Sequence, residues 1–305
     1  MNERFQEVDT GVTLCYESFG DPSNPPMVLV MGLATQMIGW HEEFCQGLAD
    51  RGFYVVRFDN RDSGRSSHMA TRAPSTADLL LRRLGPDQYT LSDMAADTAG
   101  LIGALDLAPA HVVGASMGGM IAQQLAAEHP ELVRSLTSIM STTGSRRHGQ
   151  PSLGVYKYFV RRPPHDRASF VERATEVFGM VGSTGFEHDH EWIRNRAERS
   201  YDRGYDIASG ARQLGAILAS GDRTEALAGI DAPTLVIHGS ADRMISPSGG
   251  EATAEAIPGA ELLIVEGMGH DLPRGAWPQL FDAIADHARA ADAQGADAAA
   301  LAPQA

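Results

Sequence analysis

The sequence predicts an α/β protein built on an eight-stranded, mostly parallel, doubly wound sheet. Three observations lead there: eight short apolar runs, amphipathic helical stretches alternating with them after the third, and a strand-turn-helix junction at Gly114-Ala115-Ser116-Met117-Gly118. The expected strands cover roughly residues 5–8, 13–19, 27–31, 53–58, 110–113, 135–141, 233–238 and 261–265. Thr90-Leu91-Ser92-Asp93 reads as a capping box opening a helix whose Met94, Thr98, Leu101, Ile102 and Leu105 form the buried stripe. Between Gly144 and Ile230 the strand pattern stops and helices take over. Phe170, Ala174, Val177, Phe178 and Val181 share one helical face there, and Ile207, Ala211, Leu214, Ile217 and Leu218 share another.

The junction at residue 116 carries the chemistry. Small residues two before and two after the serine let strand and helix approach, so the serine can adopt a strained turn that exposes its hydroxyl. A serine hydroxyl needs an adjacent base, and the base needs an orienting acid. The strand Pro233 to His238 exits into a loop holding Asp242, and the strand Glu261 to Val265 exits into Glu266-Gly267-Met268-Gly269-His270. In a parallel sheet both loops emerge at the carboxyl edge, where Ser116 is also delivered. The predicted trio is therefore Ser116 as nucleophile, His270 as base and Asp242 as acid. His238 ends a buried strand, the setting of a hydrogen-bonded structural histidine. Glu266 and Asp271 are too near His270 in sequence to face it easily.

The order Ser, Asp, His and these loops resemble the α/β-hydrolase superfamily over roughly residues 5–288. The resemblance implies an α/β-hydrolase fold with an inserted helical cap, divided as core 1–144, cap 145–229 and core 230–288; the alanine-rich tail at 289–305, with few large residues, is expected to be frayed. The resemblance also implies that the backbone N–H groups of Leu33 and Met117 form the oxyanion hole; Met31 stands where family members often have histidine before glycine. Asp59-Asn60-Arg61-Asp62-Ser63-Gly64-Arg65-Ser66 resembles the family's D-x-R-G-x-G-x-S turn, with Asp62 replacing the first glycine. Asp59 and Arg61 read as a charged network holding that turn. The Met-Gly turn and Asp62 together are similar to the bacterial branch that includes aclacinomycin methylesterase, which cleaves a methyl ester on an aromatic polyketide.

These readings converge on a serine carboxylic ester hydrolase working through an acyl-enzyme on a small-molecule ester, with no cofactor and no metal. A methyl or other small-alcohol ester is the expected substrate. Lactonase, thioesterase, carbon-carbon hydrolase and cofactor-free perhydrolase chemistry on the same trio stay open, as does a ligand receptor with little turnover. Epoxide hydrolases and dehalogenases of this fold use aspartate as nucleophile, so Ser116 argues against them. Tyr156, Phe159, Phe178 and Trp192 are expected to line the acyl or alcohol pocket. The run Glu187-His188-Asp189-His190-Glu191 lacks the fixed, separated ligands of a metal site.

Composition narrows the partners. A net charge of -14 over 305 residues disfavours nucleic acid and anionic membranes. Arg194, Arg196, Arg199 and Arg203 are interleaved with acids and read as a solvated helix face. No run of eighteen apolar residues and no signal-peptide core occurs, so a cytoplasmic location without membrane insertion is expected. Cys15 and Cys45 read as reduced packing residues. The sequence does not fix an oligomeric state.

Overall fold

The computed structural model describes residues 2–155 and 164–301. Eight strands form one sheet: β1 Arg4–Glu7, β2 Thr13–Phe19, β3 Pro26–Val30, β4 Tyr54–Phe58, β5 Ala110–Ala115, β6 Val133–Ile139, β7 Thr234–Gly239 and β8 Glu261–Val265. Their spatial order is β1-β2-β4-β3-β5-β6-β7-β8. β1 and β2 run antiparallel to their neighbours, and every pairing from β4 to β8 is parallel. This is the predicted sheet, with strand ends shifted by one or two residues.

The helices are α1 Glu42–Ala49, α2 Thr76–Leu81, α3 Leu91–Ala104, α4 Met117–Glu128, α5 Arg167–Val181, α6 His190–Gly204, α7 Ile207–Ser220, α8 Thr224–Leu227, α9 Ser248–Ala256 and α10 Trp277–Leu301. Side chains alternate across a strand, so the sheet needs an apolar layer on each face. On β3, Val28 and Val30 pack with Leu101 and Ile102 of α3 and Ile121 and Leu125 of α4. Met27 and Leu29 point the other way, toward Phe44 and Leu48 of α1 and Leu280 and Ile284 of α10. Thr90 caps α3 with the expected reciprocal box to Asp93, a contribution of about 1 kcal/mol.

Cys15 and Cys45 are both buried and unbonded to each other. Burial, with Asp59 nearby, pushes the Cys15 thiol up to about 12, and burial does the same to Cys45. No helix among the described residues is long and apolar enough to cross a membrane.

Three expectations are corrected. The tail does not fray from residue 289: α10 continues to Leu301, Ala291 is buried, and Asp292 pairs with Arg134 at 3.2 Å. Small alanines let that helix lie close against the face of the sheet at β6 and β7. The arginines of α6 do not all face solvent either, since Arg203 is buried between Glu3 at 2.8 Å and Asp59 at 2.9 Å. Finally, α7 buries a polar face beside the expected stripe, of which Ala211, Leu214, Ile217 and Leu218 stay half-buried. Its buried residues are Ser209, Arg212, Gln213, Gly215 and Ala216, while Ile207 is 52% exposed.

Candidate active site

β5 delivers the serine. Ser116 sits at φ 58°, ψ -121°, between the last residue of β5 and the first of α4. Holding a non-glycine residue there costs on the order of 1 to 3 kcal/mol, offset by surrounding packing. A Cβ on Gly114 would strike the Gly118 carbonyl, and one on Gly118 would strike the Val30 carbonyl. Those two glycines are what allow the turn. Its backbone is pinned further: Ser116 N–H donates to the Ile139 carbonyl at 2.9 Å, and the Ser141 hydroxyl donates to the Ser116 carbonyl at 2.9 Å.

The three residues read from the sequence meet at the carboxyl edge. Ser116 Oγ lies 2.9 Å from His270 Nε2, and His270 Nδ1 lies 2.7 Å from Asp242 Oδ2. The other carboxylate oxygen of Asp242 accepts from the Met244 and Ile245 N–H groups at 2.8 and 2.9 Å. One oxygen is thus fixed to the loop and the other left for the imidazole. Burial alone would raise the Asp242 carboxyl, but the His270 charge and the hydrogen bonds of His238 and His270 hold it down at about 2. An ionised Asp242 can accept a hydrogen bond from His270 Nδ1–H, the tautomer that leaves Nε2 free to accept from serine. His238 is fully buried, with Nε2 2.9 Å from the Ile245 carbonyl and 3.5 Å from Asp242.

The turn after β3 comes against Ser116. A Cβ on Gly32 would sit 3.1 Å from the Ser116 Cβ, so glycine permits the approach. Asn60 donates to the Met31 carbonyl at 2.8 Å, and Gln213 of α7 accepts from the Ala34 N–H at 2.8 Å. Leu33 lies between these anchors and lines the cavity beside Ser116. Met117 buries its side chain in the core and opens α4, and a first-turn N–H has no acceptor within its own helix.

The substituted turn is a hub. Asp59 pairs with Arg203, and Arg61 pairs with Asp97 at 2.5 Å. Asp62, at φ 62°, is fully buried under Arg212 of α7 at 2.6 Å and the Tyr89 hydroxyl at 2.8 Å. Asp62, His68 and Asp206 offer ligand atoms within 4.8 Å of one another. Arg212 already bonds both carboxylates, which makes this trio an ion-pair network rather than a free metal cage.

Above the edge lies a cavity of about 430 Å³. Ser116, His270 and Leu33 form its floor; Phe178, Trp192 and Arg196 are among its other walls. Phe178 and Trp192 were expected in this role, whereas Tyr156 and Phe159 lie outside the described residues. Sequence reasoning missed the segment after α5. The Val181 carbonyl accepts the His270 N–H at 2.7 Å, the Ser183 hydroxyl accepts the Gly269 N–H at 2.9 Å, and Ser183 N–H donates to Asp271 at 2.8 Å. No motif announces those contacts.

Residues 25–273 match the family model described as alpha/beta hydrolase fold. The chain belongs to the α/β hydrolase fold family. Rhodomycin D methylesterase DauP of Streptomyces sp. (strain C5) is 30% identical over 301 residues, covering 92% of this chain and 96% of that protein. Its counterpart DnrP of Streptomyces peucetius is 28% identical over 299 residues, with the same two coverages of 92% and 96%. These relatives bear out the branch read from the Met-Gly turn and Asp62. The crystal structure of the enol-lactonase from Burkholderia xenovorans LB400 superposes with a TM-score of 0.73 at 23% identity, covering 93% of this α/β hydrolase and 99% of that chain. At that identity the likeness speaks to the fold.

Proposed function

We propose that this α/β hydrolase cleaves carboxylic esters of a small alcohol, such as methyl esters, through an acyl-enzyme on Ser116. The observation that carries the reading is the unbroken hydrogen-bonded chain from Ser116 through His270 to Asp242 on the floor of that cavity. The two Streptomyces methylesterases support the choice of ester. His270 Nε2 takes the Ser116 proton as Oγ attacks the ester carbonyl. The carbonyl electron pair moves onto oxygen, where the N–H groups of Leu33 and Met117 receive it, each donor contributing about 3 kcal/mol. Collapse breaks the bond to the alcohol oxygen, which leaves with the proton from His270. Water then gives its proton to His270 and attacks the acyl carbon, releasing the acid and restoring Ser116. Asp242 keeps the imidazole in one tautomer and balances its charge in both halves. Every proton and electron pair is accounted for without a redox group.

The helices of residues 145–229 act in this reading as a cap that shuts water out and shapes the acyl site. The Val181 and Ser183 contacts make the cap a support for the His270 loop as well. The decisive test is Ser116→Ala with a chromogenic ester and a serine-directed phosphonate. Turnover should fall by about four orders of magnitude or more, and only wild type should gain the phosphonate mass. Equal labelling of both proteins, or tight ester binding with no acyl adduct in wild type, overturns the hydrolase reading in favour of another nucleophile or a receptor.

A further inference from the structure

Arg196 is a charged side chain on the cavity wall that the chemistry above does not use. Its guanidinium carbon lies 4.5 Å from the centre of the Phe178 ring and 4.9 Å from that of Trp192. Its neighbours on α6 are paired: Arg199 with Glu42 at 2.7 Å, and Arg203 with Glu3 and Asp59. Arg274, on the same cavity, holds Glu43 and Asp189. Arg196 makes no ion pair and no side-chain hydrogen bond among the described residues, although five donors sit on its fork. Asp271 is the carboxylate whose charge reaches it without a hydrogen bond, and its Oδ1 accepts from the Ser183 N–H and hydroxyl. Desolvation pulls Arg196 down to about 10, still charged at neutral pH. A charge half-buried in a cavity wall without a bonded counter-ion is costly in a stable fold. Ring faces recover part of that cost, and a bidentate oxyanion would recover more.

We propose that Arg196 selects the substrate: an ester whose acyl part is aromatic and carries a second acidic oxygen group, ionised and seated on the Arg196 guanidinium. Phe178 and Trp192 supply flat walls for the ring, and the guanidinium between them supplies the anion site. The proposal rests on the ester-hydrolase reading for its reaction, but its binding half can be measured without turnover.

The test compares wild type, Arg196→Met and Arg196→Lys. In the binding arm, 2-naphthoate and the neutral 2-naphthamide are titrated by calorimetry. In the kinetic arm, kcat/KM is measured for the monomethyl and dimethyl esters of naphthalene-2,6-dicarboxylate. Wild type should bind naphthoate more tightly than naphthamide, and Arg196→Met should lose about tenfold or more of that preference, the size expected for a hydrogen bond to a charged group. The monomethyl-to-dimethyl ratio should fall by a similar factor, with Arg196→Lys between the two. Equal affinity of wild type for the acid and the amide overturns the proposal even if the Met variant does not fold. So does a ratio that Arg196→Met leaves unchanged, which would make Arg196 a packing residue. Naphthoate binding that depends on Arg196 with no cleavage of any ester would sink the hydrolase reading and leave the anion site standing.

Discussion

Helices α5 and α7 both lie between β6 and β7 and carry equally clear apolar stripes, yet only α7 buries a polar face as well. On α5, Phe170, Ala174, Val177, Phe178 and Val181 line the cavity, as periodicity predicts. On α7, Ile207 faces outward and Arg212 and Gln213 are buried. What each helix meets decides the difference. α5 looks onto an apolar space, whereas α7 lies over the turn that carries Asp62 and over the Ala34 amide. A buried carboxylate demands a cation and an exposed amide demands an acceptor, and satisfying both outweighs a few half-buried leucine contacts. The sequence departure at Asp62 and the buried polar face of α7 are therefore one event.

The largest effect expected from this comparison is on stability. Arg212→Ala should lower it by about 3 to 5 kcal/mol, because Asp62 is left charged and buried. The double variant Asp62→Gly with Arg212→Ala should recover at least half of that loss, since glycine also suits the positive φ at residue 62. Denaturant unfolding of the four proteins measures it; simple additivity of the two single losses would break the link between turn and helix.

A smaller effect belongs to α5. Phe178→Ala should shift the ratio of kcat/KM between aromatic and acetyl esters by about tenfold, the scale of a lost ring contact in a pocket. If every ester slows by one factor and the unfolding temperature drops in parallel, Phe178 is a packing residue and α5 resembles α7 more than the cavity suggests. The smallest effect is at Ile207, the exposed end of the α7 stripe. Ile207→Gln should change stability by no more than about 0.5 kcal/mol, as for an ordinary surface site, and a loss of 2 kcal/mol or more would mean that the apolar face of α7 has a partner.

The sheet was legible because its strands are bounded by turns and feed two apolar layers, so composition and periodicity point the same way at β3, β5 and β7. Ser116, Asp242 and His270 were legible for a related reason: each follows a strand, and parallel strands bring their exits to one edge. The rest depended on contacts across long stretches of chain. Asp62 stood out as a departure, but its partner Arg212 lies 150 residues away and sits on what reads as the polar side of a helix. Arg196 and Arg203 were hidden among alternating charges, a pattern that fits solvent as well as it fits a cavity wall. The alanine tail misled because small side chains carry little hydrophobic signal even where they pack closely, as Ala288 and Ala291 do.

The two cysteines, structurally unassertive, give the molecule a practical property. A thiol held near 12 and shut away from solvent supplies almost no thiolate at neutral pH, so maleimide reagents should pass the native chain by. A single cysteine introduced at the outward position 207 would then be the one reactive handle. A fluorophore or spin label placed there would report, without further engineering, on whether the helices above Ser116 stay seated or lift as substrate enters.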